Sequence, residues 1–185
     1  MNIISKIKNF VESECKKPSS LYGYEPFPFH FAPTVKYAEE LVDELGGDRE
    51  VIILSAWLHD IGSIISGRRD HHITSAKIAE KKLRELNYPP EKIEMVKKCI
   101  LNHRGSRESE RKSLEEKILV EADTLSAFDN LSGIFKAAFV YEKLDQGEAK
   151  ESVRKKLENK FRQLHFEKSK EIIRPKYEAV MLLLK

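Results

Sequence analysis

His59 and Asp60 stand at the end of an apolar run, Val51-Ile52-Ile53-Leu54-Ser55-Ala56-Trp57-Leu58. A helix apolar on nearly every side belongs in a core. This one closes on an imidazole beside a carboxylate, with Gly62 two residues on to stop it. Burying both groups unpaired costs on the order of several kcal/mol, so a polar or charged partner must meet them there. A divalent metal does so most economically, because neutral imidazole and ionised carboxylate are its natural ligands. The dipeptide by itself carries little weight, since a helix C-terminus also favours a plain charged histidine.

Its weight comes from the rest of the chain. Five of the six histidines fall between residues 30 and 103, each near an expected helix end: His30, His59, His71, His72 and His103. Asp123 shares a helix face with Leu119, Val120, Ser126 and Ala127, apolar or small neighbours that place it in the interior. A buried carboxylate needs a cation or a set of donors. Mixed His and Asp ligation suits Mn, Fe, Co, Ni or Zn rather than calcium.

The elements that must position these groups are helical throughout. A period of 3.6 dominates and alternating strands are absent, so the expectation is an all-α fold of about eight or nine helices. A first amphipathic helix carries Ile3, Ile4, Ile7, Phe10 and Val11 and ends at Pro18-Ser19-Ser20. Leu21 to Phe31 is irregular but hydrophobic. A second helix starts near Pro33 and stops at Gly46-Gly47; Asp48 caps the third. A loop over 63–70 leads to a fourth helix through Ile73, Ala76, Ala79, Leu83 and Leu86, with His71-His72 just before it. Pro89-Pro90 opens a fifth that ends at His103. After a polar loop, Ser113-Leu114-Glu115-Glu116 has capping-box spacing and opens the sixth. Three further helical patterns fill 131–185, with Gly147 and Pro175 as breaks or kinks.

At 185 residues the chain fits one domain. Charged residues at 34% and apolar ones at 41% describe an ordinary soluble protein, and the net charge of +3 arises from interspersed signs. Short basic clusters such as Arg154-Lys155-Lys156 have acidic neighbours, which argues for solvated helix faces and against a nucleic-acid stripe. Cys15 and Cys99 make no disulfide framework, and a reducing cytoplasm is the expected location. Residues 1–17 lack the apolar block of a signal peptide, and no apolar run reaches membrane-spanning length.

In their order and surroundings these residues resemble the HD-domain superfamily of metal-dependent phosphohydrolases. The matching segments are His30-Phe31-Ala32-Pro33-Thr34-Val35-Lys36-Tyr37-Ala38, Ala56-Trp57-Leu58-His59-Asp60-Ile61-Gly62, His71-His72-Ile73-Thr74-Ser75-Ala76, Ile100-Leu101-Asn102-His103 and Glu121-Ala122-Asp123-Thr124-Leu125. The resemblance implies a single HD-type domain over 1–185, its metal-site core at about 28–130 and helices of 131–185 packing on it. It implies that His30, His59, Asp60 and Asp123 form the basic metal-binding set. His103 and one of His71 and His72 then match the extra ligands of two-metal members, with His71 slightly favoured. One or two divalent ions (Mn, Fe, Co, Ni, Zn or Mg) are implied as cofactor. Several subfamily marks are missing. Ala32-Pro33 and Thr124 stand where relatives carry arginine, Ile61-Gly62-Ser63-Ile64 lacks an acidic pair, and a glycine-tyrosine-proline motif is absent. These departures speak against guanosine-polyphosphate hydrolases and cyclic dinucleotide phosphodiesterases.

The expected chemistry is hydrolysis of a small phosphorylated substrate, a nucleotide or another phosphate ester, by a metal-activated water. Asp60 would bridge two ions, and Arg104 would meet the charge that develops on the phosphoryl oxygens. Arg68, Arg69, Arg107 and Lys77 are further cations near the motif segments. Two rivals are a di-iron oxygenase using a similar ligand set and a non-catalytic metal-binding module. His165 receives no role; Glu121 is expected to face solvent, Asp129 to satisfy a helix end, and Asn102 to cap or orient a neighbour. Oligomeric state stays open.

Overall fold

The computed structural model describes residues 2–104 and 111–185. It is all-α, with no strand among the described residues. The helices are α1 (Ile3–Lys16), α2 (Ala32–Leu45), α3 (Arg49–Leu58), α4 (Ile61–Ser66), α5 (His71–Glu85), α6 (Pro90–Asn102), α7 (Leu114–Asp129), α8 (Leu131–Lys136), α9 (Gln146–Arg162) and α10 (Glu167–Leu183). Eight of these run ten residues or more, within the expected range, and α4 and α8 are six-residue pieces. π-helical turns at Phe27–Phe31 and Ala137–Tyr141 lead into α2 and out of α8.

Every residue of α3 from Val51 to Leu58 is buried. Around it pack α1, α2, α6 and α7, while α5 lies against α4 and α6. Fully burying each large apolar side chain contributes about 1.5–3 kcal/mol, which makes α3 the axis on which the other helices assemble. Its start is tied down twice. Asp48 accepts a hydrogen bond from the Val51 N–H (3.2 Å), and its own N–H donates to Glu115 on α7 (3.1 Å). The buried apolar side chains form one cluster reaching from Ile7 to Leu184. No single helix among the described residues is long and apolar enough to cross a membrane.

Gly62 does not stop α3. The break falls earlier, at Asp60, whose backbone (φ −114°, ψ 11°) leaves the helical region, and Gly62 lies inside α4, a helix that runs on into the expected loop. Its role is close approach. A Cβ there would sit 2.2 Å from Thr74 Oγ1, 2.6 Å from the Ser75 nitrogen and 2.7 Å from the His71 carbonyl oxygen, so only glycine lets α4 meet the start of α5. The Gly62 N–H also donates to Ser75 Oγ at 2.9 Å.

Three more differences concern local order. The expected irregular stretch ends in the Phe27–Phe31 π-turn, closed by the Ala32 N–H donating to the Phe27 carbonyl. In the C-terminal region the break precedes Gly147, because Asp145 caps α9 in a full capping box with Glu148; Pro175 sits inside α10 without ending it. Glu121 is buried, not solvent-facing, and accepts the N–H groups of His165 (2.6 Å) and Phe166 (3.1 Å). A carboxylate from α7 thereby satisfies orphan donors at the start of α10.

Candidate metal centre

Six side chains from five places in the chain meet where α3 ends. His59 caps α3, and Asp60 follows in the break. Neighbours on a continuous helix point about 100° apart and do not converge. The break at Asp60 turns its carboxylate so that Oδ2 lies 4.0 Å from His59 Nε2. His30 arrives on the π-turn, His71 on the first residue of α5, His103 at the end of α6, and Asp123 from the middle of α7.

These donors form two groups. In one, His30, His59 and Asp123 each offer an atom within 4.8 Å of the others; in the second, Asp60, His71 and His103 do the same. The Nε2 atoms of His30 and His59 are 3.0 Å apart, and those of His71 and His103 are 3.2 Å apart. Asp60 spans the two groups: Oδ2 is 3.4 Å from His30 Nε2, and Oδ1 is 3.2 Å from His71 Nε2 and 3.5 Å from His103 Nε2. Asp123 Oδ1 lies 3.8 Å from His30 and 3.7 Å from His59.

The outward nitrogens decide the tautomers. Nδ1 of His59 donates to the Ala56 carbonyl (2.9 Å), that of His71 to Arg68 (2.9 Å) and that of His103 to Ile100 (2.5 Å). His30 Nδ1 faces Ser126 Oγ at 3.4 Å, whose proton is spent on the Asp123 carbonyl. In each neutral ring the proton is therefore on Nδ1 and the Nε2 lone pair points inward, the arrangement found in metal-ligating histidines. Two facing lone pairs about 3 Å apart repel unless a cation lies between them. Asp60 Oδ1 makes the same demand, being buried with no hydrogen-bond donor among the described residues. The donor set and its orphaned oxygen thus fit a divalent ion in each group.

The electrostatics agree. Burial pushes the Asp60 carboxyl up, but His59, His103 and His30 outweigh it and hold the group well below the usual carboxylate range. Asp123 behaves alike: burial raises it, while the Lys160 charge and the His59 and His30 rings lower it further. Burial opposes protonation of His30, yet Asp60 and Asp123 bring it out above its ordinary value; burial lowers His71. Both carboxylates are ionised at neutral pH.

His59 is fully enclosed, whereas the side chains of His30, Asp60 and Asp123 keep 21%, 26% and 23% of their surface. The site is open on its carboxylate side, as a catalytic metal site is and a structural one is not. Around His103, Glu116 accepts from Asn102 Nδ2 (3.0 Å) and from the Lys112 and Ser113 N–H groups, while Arg111 Nε donates to the Asn102 carbonyl (2.8 Å). Asn102 thus ties the end of α6 to the start of α7, and this network holds the end of α6 in place.

Of the adjacent histidines, only His71 joins a donor group among the described residues. His72 is buried on α5 and belongs to neither donor group, because successive helical residues face different ways. Arg104, Arg68, Arg69 and Lys77 are exposed; Arg104 gives its carbonyl to Arg111, and Arg69 faces Asp70. Arg107 lies outside the described residues. Phe27 stacks on Trp57 in the core, while Phe29, beside His30, is exposed. Asp129 accepts from Tyr37 and Lys176, side chains rather than a helix end. Sequence reasoning missed Lys160, whose Nζ is 4.0 Å from Asp123 Oδ2. A lysine on the apolar stripe of α9 was the available signal.

The HD domain family matches residues 30–128 of this chain. An uncharacterized protein of Clostridium beijerinckii is 34% identical over 82 residues, a match covering 42% of this chain and 52% of that protein, so it spans about half of that relative's length. An HD-superfamily hydrolase of Bacillus thuringiensis superposes with a TM-score of 0.74 at 18% identity, over 98% of this chain and 92% of that one. Bacillus subtilis YpgQ, in complex with ADP, superposes with a TM-score of 0.72 at 18% identity, over 97% and 92%. At such identities the structural likeness speaks for the fold.

Proposed function

The chain belongs to the HD-domain family, and from that premise we propose that it is a metal-dependent phosphohydrolase. Its substrate in this reading is a nucleotide or another small phosphorylated metabolite, cleaved with water as nucleophile. The observation that carries the proposal is the Asp60 carboxylate reaching one His/Asp group with each oxygen, 3.4 Å from His30 and 3.2 Å from His71. The hydrolase described from Bacillus thuringiensis and the ADP complex of YpgQ support the reaction class and the kind of substrate.

His30, His59 and Asp123 would hold one divalent ion, and Asp60, His71 and His103 a second, with Asp60 shared. Ions bound there supply Lewis acidity toward a phosphoryl oxygen and a lowered pKa for water. The chain's own residues do the rest. The Nδ1 donors of His59, His71 and His103 are fixed on backbone carbonyls, so their rings need not reorganise as charge develops. The ionised Asp60 and Asp123 orient water protons on the open side. Arg104, exposed at the end of α6, offers a cation to the phosphoryl oxygens.

The test pairs elemental analysis of protein purified without chelators with phosphate release from nucleoside mono-, di- and triphosphates and simple phosphate esters. Asp60→Ala should lose stoichiometric metal and lower hydrolysis by more than about 100-fold, since even outer-shell partners of a metal are worth 10–100-fold. Helix content should stay unchanged. Undiminished activity in Asp60→Ala removes the proposal. Oxygen uptake with paired iron and no phosphate release would move the chain to the di-iron oxygenase reading instead, and absence of metal would leave a non-catalytic module.

A further inference from the structure

The buried positions of α9 are Ala149, Val153 and Leu157, spaced as one helical stripe. The next residue on that stripe is Lys160, eleven positions after Ala149, so a charged side chain occupies the face by which α9 docks. Lysine is tolerated there only if its ammonium reaches water or a counter-charge. Lys160 does both: its side chain is 33% exposed, and Nζ lies 4.0 Å from Asp123 Oδ2.

Three other cations of this helix are engaged elsewhere. Arg154 pairs with Glu151 and Glu158, Lys155 with Glu151, and Lys156 with Glu142. At 4.0 Å the Lys160 ammonium is beyond direct hydrogen-bond distance from Asp123, and no hydrogen bond engages it among the described residues. Asp123 directs its other oxygen at His30 and His59. Once that carboxylate also serves a divalent ion, its charge is shared and the ammonium is left under-neutralised beside a site open to solvent. Such a cation calls for an anion.

Resting on the phosphohydrolase reading above, we propose that Lys160 binds a phosphoryl oxygen of the substrate on the Asp123 side of the site. It acts as a point charge with three donors, none of them hydrogen-bonded among the described residues. It thereby selects for substrates whose scissile phosphorus carries a free anionic oxygen near α9. The competing role is charge compensation for Asp123, in which the lysine serves ligand binding and never meets substrate.

The two roles separate by measuring metal and phosphate independently. The full chain is loaded with Mn²⁺ and titrated calorimetrically with inorganic phosphate, alongside Lys160→Met, Lys160→Arg and a Lys155→Met control; metal content and helix content are read for each. The expected result is wild-type Mn²⁺ stoichiometry in Lys160→Met with phosphate bound roughly 10- to 100-fold more weakly, the loss of one charge-assisted hydrogen bond. Lys160→Arg should recover most of the affinity, and Lys155→Met should match wild type. Equal phosphate affinity in wild type and Lys160→Met overturns the proposal alone. Loss of Mn²⁺ from Lys160→Met overturns it in favour of charge compensation. Failure of the loaded wild type to bind phosphate overturns it together with the phosphohydrolase reading.

Discussion

Replacing Gly62 by alanine sets helix propensity against packing, and the two predict opposite signs. Alanine in a helix is favoured over glycine by about 1 kcal/mol, so propensity predicts a more stable protein. The structure puts the new methyl 2.6 Å from the Ser75 nitrogen and 2.7 Å from the His71 carbonyl oxygen, both backbone atoms, and 2.2 Å from Thr74 Oγ1. Restoring ordinary contact requires α4 and α5 to separate by about 0.7 Å or more. Overpacking of this kind costs about 1–3 kcal/mol, and losing the hydrogen bond from Gly62 to Ser75 adds about 1 kcal/mol. After subtracting the propensity gain, the net destabilisation is about 1–3 kcal/mol, or roughly 2–12 °C in Tm for a chain of this size. Thermal unfolding of metal-free protein followed by far-UV circular dichroism reads this directly. The same displacement moves His71, so metal titration should show the Asp60–His71–His103 group weakened more than its neighbour. A Tm equal to or above wild type would refute the packing reasoning.

Other consequences follow from particular contacts. His103→Ala should remove one metal ion per chain from a two-metal protein, whereas His72→Ala should leave the stoichiometry unchanged; equal loss in both would return His72 to the ligand set. Glu121→Ala leaves the His165 and Phe166 N–H groups without their acceptor and should destabilise by about 1–3 kcal/mol, measured by urea unfolding; an unchanged midpoint would mean that water replaces the carboxylate. Burial pushes the Cys15 thiol up to about 11 and Cys99 up to about 12, from an ordinary 9.0. A raised thiol pKa means that the neutral form is favoured by folding, so this contribution to stability is present below the unfolded value and lost as pH climbs through the folded one. At about pH 8, native protein should resist iodoacetamide at both cysteines and become labelled only in denaturant; rapid native labelling would contradict the burial.

Much of the fold was legible because capping and breaking are local events. Asp48 and Ser113 cap the helices that their neighbours predict, and Pro33 and Pro90 sit in first turns. Gly62 was misread for the same reason. A glycine after a polar pair looks like a stop, and only the atoms of α5, nine or more residues away, show why a side chain is excluded there. Glu121 and Glu116 look like solvent-facing and capping acids respectively. Their further partners, the start of α10 and Asn102, lie on other helices.

The sequence by itself determined the helical class, the approximate helix limits and the donor types at His30, His59, Asp60, His103 and Asp123, because periodicity, capping and ligand chemistry depend on neighbours in the chain. Tertiary structure alone decided how those donors divide. It separated His30, His59 and Asp123 from Asp60, His71 and His103, placed Asp60 across both groups, and put His71 but not His72 in a candidate donor group. It also brought Lys160 of α9 beside Asp123 of α7. The physical reason is that ligand geometry depends on distances of a few ångströms between helices, set by how close their packed faces come. A residue such as Gly62 controls that spacing through contacts that leave no periodic mark on the sequence.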